Sequence, residues 1–287
     1  MVEDIDEPDW ERAFMFFVKA SKLGNMEAKA WVGLCYLHGT GTARNADLAF
    51  RSIQTAALAG VPLGQVALGT CYLDGLGTNA DLIEAVRHFR LAAAAGLAEG
   101  QFWLGVLFLH EEQLGVPTSE AIILLQQAAH QGHEGAQYEL ANCFYDGVGV
   151  GQNFVQASIL LQRAAAKGHA RSQAQLAHMY DLGLGVGRDV QKAMKWLRLA
   201  ADSGLPEAQH NLALSFAEGR GVSRNAKSAV QWFRMAANGG YSESQFSLAC
   251  CLADGFGTPK DPSLARFWFD RAARQGHKEA AERLRGS

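Results

Sequence analysis

Proline, paired cysteines, long apolar runs and net charge are all scarce in this 287-residue chain, and each shortage removes a class of protein. Six prolines beside 31 glycines and abundant alanine disfavour a sandwich of short strands and favour close-packed helices punctuated by glycine turns. The 26 Lys and Arg nearly balance the 29 Asp and Glu. The net charge of −3 therefore gives no overall support for binding nucleic acid or an anionic membrane. No run approaches about 18 consecutive apolar residues, so no membrane span is expected. The five cysteines are odd in number and contain no C-x-x-C, against a disulfide framework or a thiol-redox motif. Reduced thiols suit a cytoplasm. No secretory signal opens the chain, although a removed one would leave the same mature sequence, with a bacterial periplasm as the alternative.

What the chain does have is a period. Gly24, Gly60, Gly96, Gly132, Gly168, Gly204, Gly240 and Gly276 recur every 36 residues. So do Ala13, Ala49, Ala85, Ala121, Ala157, Ala193, Ala229 and Ala265, and likewise the column from Ala20 to Ala272. Length alone, at about 150 residues per domain, suggests two domains. The uninterrupted register replaces that with one repeat array.

Each unit has two helical halves. The first carries pairs such as Leu68-Gly69 with Tyr72 and Leu176-Ala177 with Tyr180, at a spacing that shares one helix face. The second starts after Asn45, Asp81, Asn153, Asp189, Asn225 or Asp261, side chains suited to cap a first helical turn. Beyond the cap, Ala-x-x-bulky-bulky-x-x-Ala-Ala forms another apolar face, as in Ala193, Trp196, Leu197, Ala200 and Ala201. The Gly24 column fits the left-handed position that ends a helix, and pairs such as Gly183/Gly185 fit a tight turn between the halves. The third unit departs, with Glu111 and Gln113 for glycines and Pro117 for the cap. A different backbone path over 110–118 is predicted, with Thr118 serving as the cap.

Signals of chemistry are incomplete. Gly147-Val-Gly149-Val-Gly151 and its counterpart from Gly183 do not complete G-x-G-x-x-G, and no strand precedes them. His110-Glu111-Glu112 and His133-Glu134 lack the second histidine of a zinc protease. His178 and His210, with Asp181 and Glu218, are the one cluster of plausible ligand types, but their spacing does not converge. His133, His169 and His277 follow the helix-ending glycine and read as structural. Cys35, Cys71, Cys143 and Cys251 share a column with Leu107 and Met179, which marks a core site. No nucleophile, base and orienting group occur together, so no catalytic residue, cofactor or metal is assigned. An acidic tip (Glu3, Asp4, Asp6, Glu7, Asp9, Glu11) and a basic end (Arg266, Arg271, Arg274, Lys278, Arg283, Arg285) read as solvated capping, with head-to-tail contact between arrays the sharper alternative.

These residues resemble the Sel1-like repeat, a 36-residue relative of the tetratricopeptide repeat. The unit from Ser172 to Pro206 carries its pattern in Leu176, Tyr180, Gly183, Gly185, Val186, Asp189, Lys192, Ala193, Trp196, Ala200, Ala201 and Gly204. The resemblance implies an all-α, α/α superhelical solenoid of antiparallel helix pairs, with first helices lining a concave face. The expected layout is a lone helix at 9–24, seven repeats (28–63, 64–99, 100–135, 136–171, 172–207, 208–243 and 244–279), and a stub at 280–287. The paired cysteines that staple every unit of the family's disulfide-rich branch are absent here, which sets the chain apart from that branch.

The resemblance further implies a non-enzymatic adaptor, scaffold or regulator that binds a protein or extended peptide on the concave face. The alternative is an immunity protein that neutralises a toxin or effector enzyme. Partner choice must then reside in variable first-helix positions. Leu34, Leu37, Val66, Leu73, Phe102, Val106, Leu109, Tyr138 and Tyr145 give an apolar stretch, with Asn142 among them. His178, Asp181, His210 and Glu218 turn polar, and Phe246 follows. An apolar stripe of that size marks an interaction site; the competing reading is that neighbouring helices simply bury these side chains.

Overall fold

A computed structural model describes residues 9–285. Glu3, Asp4, Asp6 and Glu7 of the acidic tip lie outside the described residues. Among the described residues there are helices and turns but no strand. In chain order the helices begin α1 (Trp10–Lys22), α2 (Met26–His38), α3 (Ala46–Leu58), α4 (Pro62–Asp74) and α5 (Leu82–Ala94). They continue with α6 (Ala98–His110), α7 (Thr118–His130), α8 (Glu134–Asp146), α9 (Phe154–Ala166), α10 (Ala170–Leu182) and α11 (Val190–Asp202). The last are α12 (Pro206–Glu218), α13 (Ala226–Asn238), α14 (Ser242–Asp254), α15 (Pro262–Arg274) and α16 (Lys278–Arg285). Even-numbered helices are the first halves of units and odd-numbered ones the second, the tandem pairing of an α/α solenoid. Two compact units are distinguished, one up to Glu139 and one from Leu140, dividing inside α8.

The periodic residues act as their types require. Asn45, Asp81, Asn153, Asp189, Asn225 and Asp261 each N-cap a second helix, their side-chain oxygens accepting from backbone N–H groups of the first turn. The Gly24 column has φ between 81° and 96°, a conformation that costs a residue with a Cβ. At Gly60 the chain closes a paired turn: Gly60 N–H donates to Ala57 and Val61 N–H to Ala56, satisfying carbonyls the helix end leaves over. Val61 then begins the next helix at once as its N-cap residue.

Core packing follows the alanine columns. Ala56, Ala92, Ala128, Ala164, Ala200, Ala236 and Ala272 are fully buried, as are Ile53, Phe89, Leu125 and Leu161 beside them. Burying a side chain such as Phe89 contributes roughly 1.5–3 kcal/mol over leaving it in water. Cys35, Cys71, Cys143 and Cys251 are buried, as their column predicts. Burial pushes the thiols of Cys71 and Cys251 up to about 11, with nearby negative charge adding to the effect.

A buried polar column escapes a search by hydrophobic pattern. Gln65, Gln101, Gln137, Gln173, Gln209 and Gln245 all lie in the interior. Five of them, all but Gln101, donate Nε2 to the carbonyl eight residues earlier, in the final turn of the preceding second helix. Each such bond ties one repeat to the next and satisfies the buried amide N–H, while the Oε1 atoms of Gln137 and Gln173 are buried without a partner. Gln101 instead accepts from Gln131 Nε2 at 2.8 Å.

The third connection does take its own path. A 3-10 turn occupies Glu112–Leu114 and ends at Gly115, with φ 61°. At Gly41, Gly77, Gly185, Gly221 and Gly257 the second glycine of the turn sits against the start of the preceding second helix. A Cβ at Gly77 would meet the Ala46 carbonyl, and one at Gly185 the Phe154 carbonyl. Gln113 cannot approach so closely, and the loop moves out. The expected role of Thr118 is corrected. Pro117 holds the N-cap position without a side-chain bond, and Thr118 is the first helical residue, because the proline already fixes the extended backbone at the cap.

Candidate functional site

The first-helix candidates fall into different surroundings. In the unit up to Glu139, Leu37 and Val66 are buried, at 6% and 7% exposure. Leu34, Leu73 and Leu109 are half-buried and pack on adjoining core clusters, and Val106 is half-buried as well. Phe102 stacks on His133, ring centroids 4.4 Å apart. The His133 Nε2 in turn lies 2.8 Å from Glu99, which also accepts from Trp103. Those bonds, with that from His133 foremost, hold the Glu99 carboxyl below its usual range. Tyr138 is half-buried.

In the unit from Leu140, Asn142 is half-buried, and Tyr145 meets Phe154 edge-on at 5.1 Å. Phe246 stacks on His277 at 4.4 Å. His210 lies against Phe233 and Tyr241, with Nδ1 2.8 Å from Ser244 Oγ, and burial lowers its proton affinity. His178 and Glu218 are exposed, and Asp181 is half-buried. The structure thus engages His210 with its own neighbours and leaves His178 facing a different space. Among the described residues no group of three or more His, Cys, Asp or Glu is arranged to hold a metal ion.

The histidine column after the helix-ending glycines is structural in a specific way. His169 Nδ1 accepts from Ser172 N–H, His133 Nδ1 from Ala136 N–H, and His277 Nδ1 from Ala280 N–H. These imidazoles therefore N-cap the first helices that follow them.

His178 and Asp181 open onto a cavity of about 190 Å³ between α10, α11 and α12. Its apolar wall includes Ala174, Ala177, Met194 and Leu197, and its polar wall adds Asn211, Ser215 and Arg220. Arg220 Nη1 is 3.6 Å from Asp181, and Nη2 is 3.8 Å from Glu218. The Ser215 hydroxyl donates to the Asn211 carbonyl at 2.9 Å.

The repeat supplies its own control for this cavity. Four periods earlier the matching positions are Leu34, Leu37, Ala67, Cys71 and Leu76 in place of His178, Asp181, Asn211, Ser215 and Arg220. There they pack with Ala49, Phe50 and Ile53 as one hydrophobic cluster. An interior that one unit fills with apolar side chains is here left open and rimmed with hydrogen-bonding groups. Convergent polar groups over an apolar floor are the usual make-up of a binding pocket. Ser215 and Arg220 were missed from the sequence because their columns read as core and turn, and their departure from those columns was the available signal. Asn211 stands in a column that varies freely, from Trp31 and Ala67 to Glu139 and Gln175, and offered none.

The family model described as Sel1 repeat matches residues 6–25, 27–61, 62–97, 98–133, 135–169, 170–205, 206–241 and 242–277. No curated protein matches the chain. A Sel1 repeat protein from Oxalobacter formigenes is similar in structure, with TM-score 0.74 and 29% identity over 98% of this chain and 82% of its own. A protective antigen present in uropathogenic Escherichia coli strains, displaying an SLR fold, also has TM-score 0.74 and 29% identity. That match covers 94% of this chain, which spans only 58% of the antigen's structure. An immunity protein from Pseudomonas aeruginosa shares the fold at 17% identity and TM-score 0.50, over 88% of this chain and 83% of its own. No helix among the described residues is long and apolar enough to cross a membrane.

Proposed function

The chain belongs to the Sel1 repeat family, whose members are in general protein-interaction modules, and we propose that it is a non-enzymatic adaptor or regulator gripping a protein or extended peptide along its first helices. The cavity edged by His178, Asp181 and Arg220 carries this reading. Selection for stability alone favours filling such a space, since apolar wall left open to water forfeits roughly 25 cal/mol per Å² that burial would contribute. A partner side chain entering it regains that burial and meets Asp181 as acceptor and Arg220 and Asn211 as donors. The apolar first-helix candidates of the other unit, Leu34, Leu37, Val66, Leu73 and Leu109 among them, pack into hydrophobic clusters of their own neighbours. Buried, protonated thiols suit a reducing cytoplasm.

The decisive experiment restores the filled version of the space. Asp181→Leu with Arg220→Leu copies Leu37 and Leu76, which the fold already accommodates. Affinity capture followed by mass spectrometry is run with wild type and variant, with circular dichroism as the fold control. A partner held by wild type and lost by the folded variant supports the reading; a partner set unchanged by the double substitution refutes it. A second reading, an immunity or inhibitor protein, draws on the fold shared with the Pseudomonas aeruginosa protein. It requires the captured partner to be an enzyme whose activity disappears in a stoichiometric complex.

A further inference from the structure

The near-neutral net charge conceals a separation between the two kinds of helix. Within the unit from Leu140, the second helices α9, α11, α13 and α15 carry nine basic residues against two acidic ones. The first helices α10, α12 and α14 carry one basic residue against five acidic ones. Second helices bury one face, through columns such as Ala157, Ala193, Ala229 and Ala265. A common register therefore places their charged positions, Arg266 excepted, on the solvent side. Lys192 pairs with Asp189 and Arg274 with Asp270. Lys195, Arg198, Lys227, Arg234 and Arg271 are exposed and make no ion pair among the described residues.

Apolar side chains stand among these cations, at least one to a helix. Val155 is 54% exposed on α9, Leu199 38% on α11, Met235 49% on α13 and Phe267 48% on α15. Unpaired cations alone would suit any polyanion. Nucleic acid, however, is gripped by cations together with flat rings on which bases stack, and three of these four side chains are aliphatic or a thioether. Cations interleaved with aliphatic residues on one exposed helical face match the interfacial zone of an anionic bilayer, where headgroups take the charges and acyl chains the apolar tips.

We propose that the outer face of α9, α11, α13 and α15 docks on an anionic lipid surface, leaving the cavity face of the first helices available to a protein partner. The attraction is electrostatic with shallow insertion, and it does not require a spanning segment. One Lys or Arg near an anionic surface is worth about a five-fold change in partitioning. Removing three should weaken binding about a hundred-fold, and reversing their sign should do more.

The test is co-sedimentation of the full chain with vesicles of pure phosphatidylcholine and of phosphatidylcholine mixed with phosphatidylserine. Wild type is expected in the pellet only with the serine-headed lipid, and is released by high salt. The variant Lys195→Glu with Arg198→Glu and Arg234→Glu alters exposed side chains only, so its helicity is expected to be unchanged and its pelleting lost. A second variant, Met235→Ser with Phe267→Ser, should weaken binding and remove the part that survives high salt. No pelleting with anionic vesicles, equal pelleting with both compositions, or unchanged pelleting of the charge-reversed variant overturns the proposal. So does double-stranded DNA outcompeting the vesicles for wild type while the serine variant binds normally, which would assign the face to nucleic acid.

Discussion

Two glycines that both have positive φ should tolerate alanine very differently. Gly168 has φ 96° and Gly185 φ 65°, so both carry the strain that a Cβ meets in the left-handed region. That strain is worth about 1–2 kcal/mol, and the smaller entropy of the unfolded alanine chain returns a few tenths to about 1 kcal/mol. At Gly168 nothing else intervenes, since an alanine Cβ there would have no neighbouring atom within 4 Å. The expected cost of Gly168→Ala is therefore about 1 kcal/mol.

Gly185 differs because its turn rests on the start of α9. A Cβ there would collide with the Phe154 carbonyl and lie 2.7 Å from the Val155 nitrogen, both backbone atoms of a packed helix. Backbone cannot rotate aside as a side chain can, so the turn must lift. Overpacking of this kind adds about 1–3 kcal/mol, bringing Gly185→Ala to about 3 kcal/mol. Urea unfolding followed by circular dichroism measures both variants. Repeat arrays can lose cooperativity, so amide hydrogen exchange over 150–190 should locate the loss at the lifted turn. Equal costs for the two variants would refute the claim that close approach, rather than positive φ, sets apart the second glycine of each pair.

Three more outcomes follow from single residues. His88 is buried, its Nδ1 2.6 Å from Gln65 Oε1 and its Nε2 3.1 Å from Arg87, with Glu84 and the stacked Tyr72 ring beside it. Burial, aided by the Arg87 charge, holds its pKa below the ordinary 6.5. Above 6.5 both states are neutral, whereas below it the unfolded chain takes the proton first. Stability should fall as pH drops below that point, and His88→Gln should reduce the slope in urea midpoints; an unchanged slope would count against it. Asn153→Ala removes the acceptor for Gln156 N–H and should cost about 1 kcal/mol, with Asn153→Asp near neutral because Asp fills the same position in other units. The Cys71 thiol, raised to about 11 by burial and the Asp74 charge, should resist iodoacetamide at neutral pH until urea unfolds the chain, as read by peptide mass mapping. Labelling at the same rate in both states would contradict its buried placement.

The repeat made the fold legible because a helix cap or a close helix contact demands the same residue type each time it recurs. Asn153 and Asp189 announced second helices, and Ala200 and Gly204 announced where those helices touch and end. The Gln65-to-Gln245 column was equally periodic but went unread, since a polar residue among apolar ones carries no hydrophobic signal. Pro117 misdirected the cap to Thr118, because a proline can fix an extended cap backbone without offering an acceptor. The candidate site posed the opposite problem. Columns describe what units share, whereas the cavity exists where several columns fail together: Asp181 for leucine, Ser215 for cysteine, Arg220 for an apolar turn residue. Each exchange taken singly reads as ordinary surface variation. Only the packing of α10, α11 and α12 shows that all three line one space, and that Leu37, Cys71 and Leu76 fill its counterpart. In such a chain the useful search is therefore for departures that coincide at one period and one depth, and the Asp181→Leu, Arg220→Leu variant tests that principle by removing the coincidence while keeping the fold.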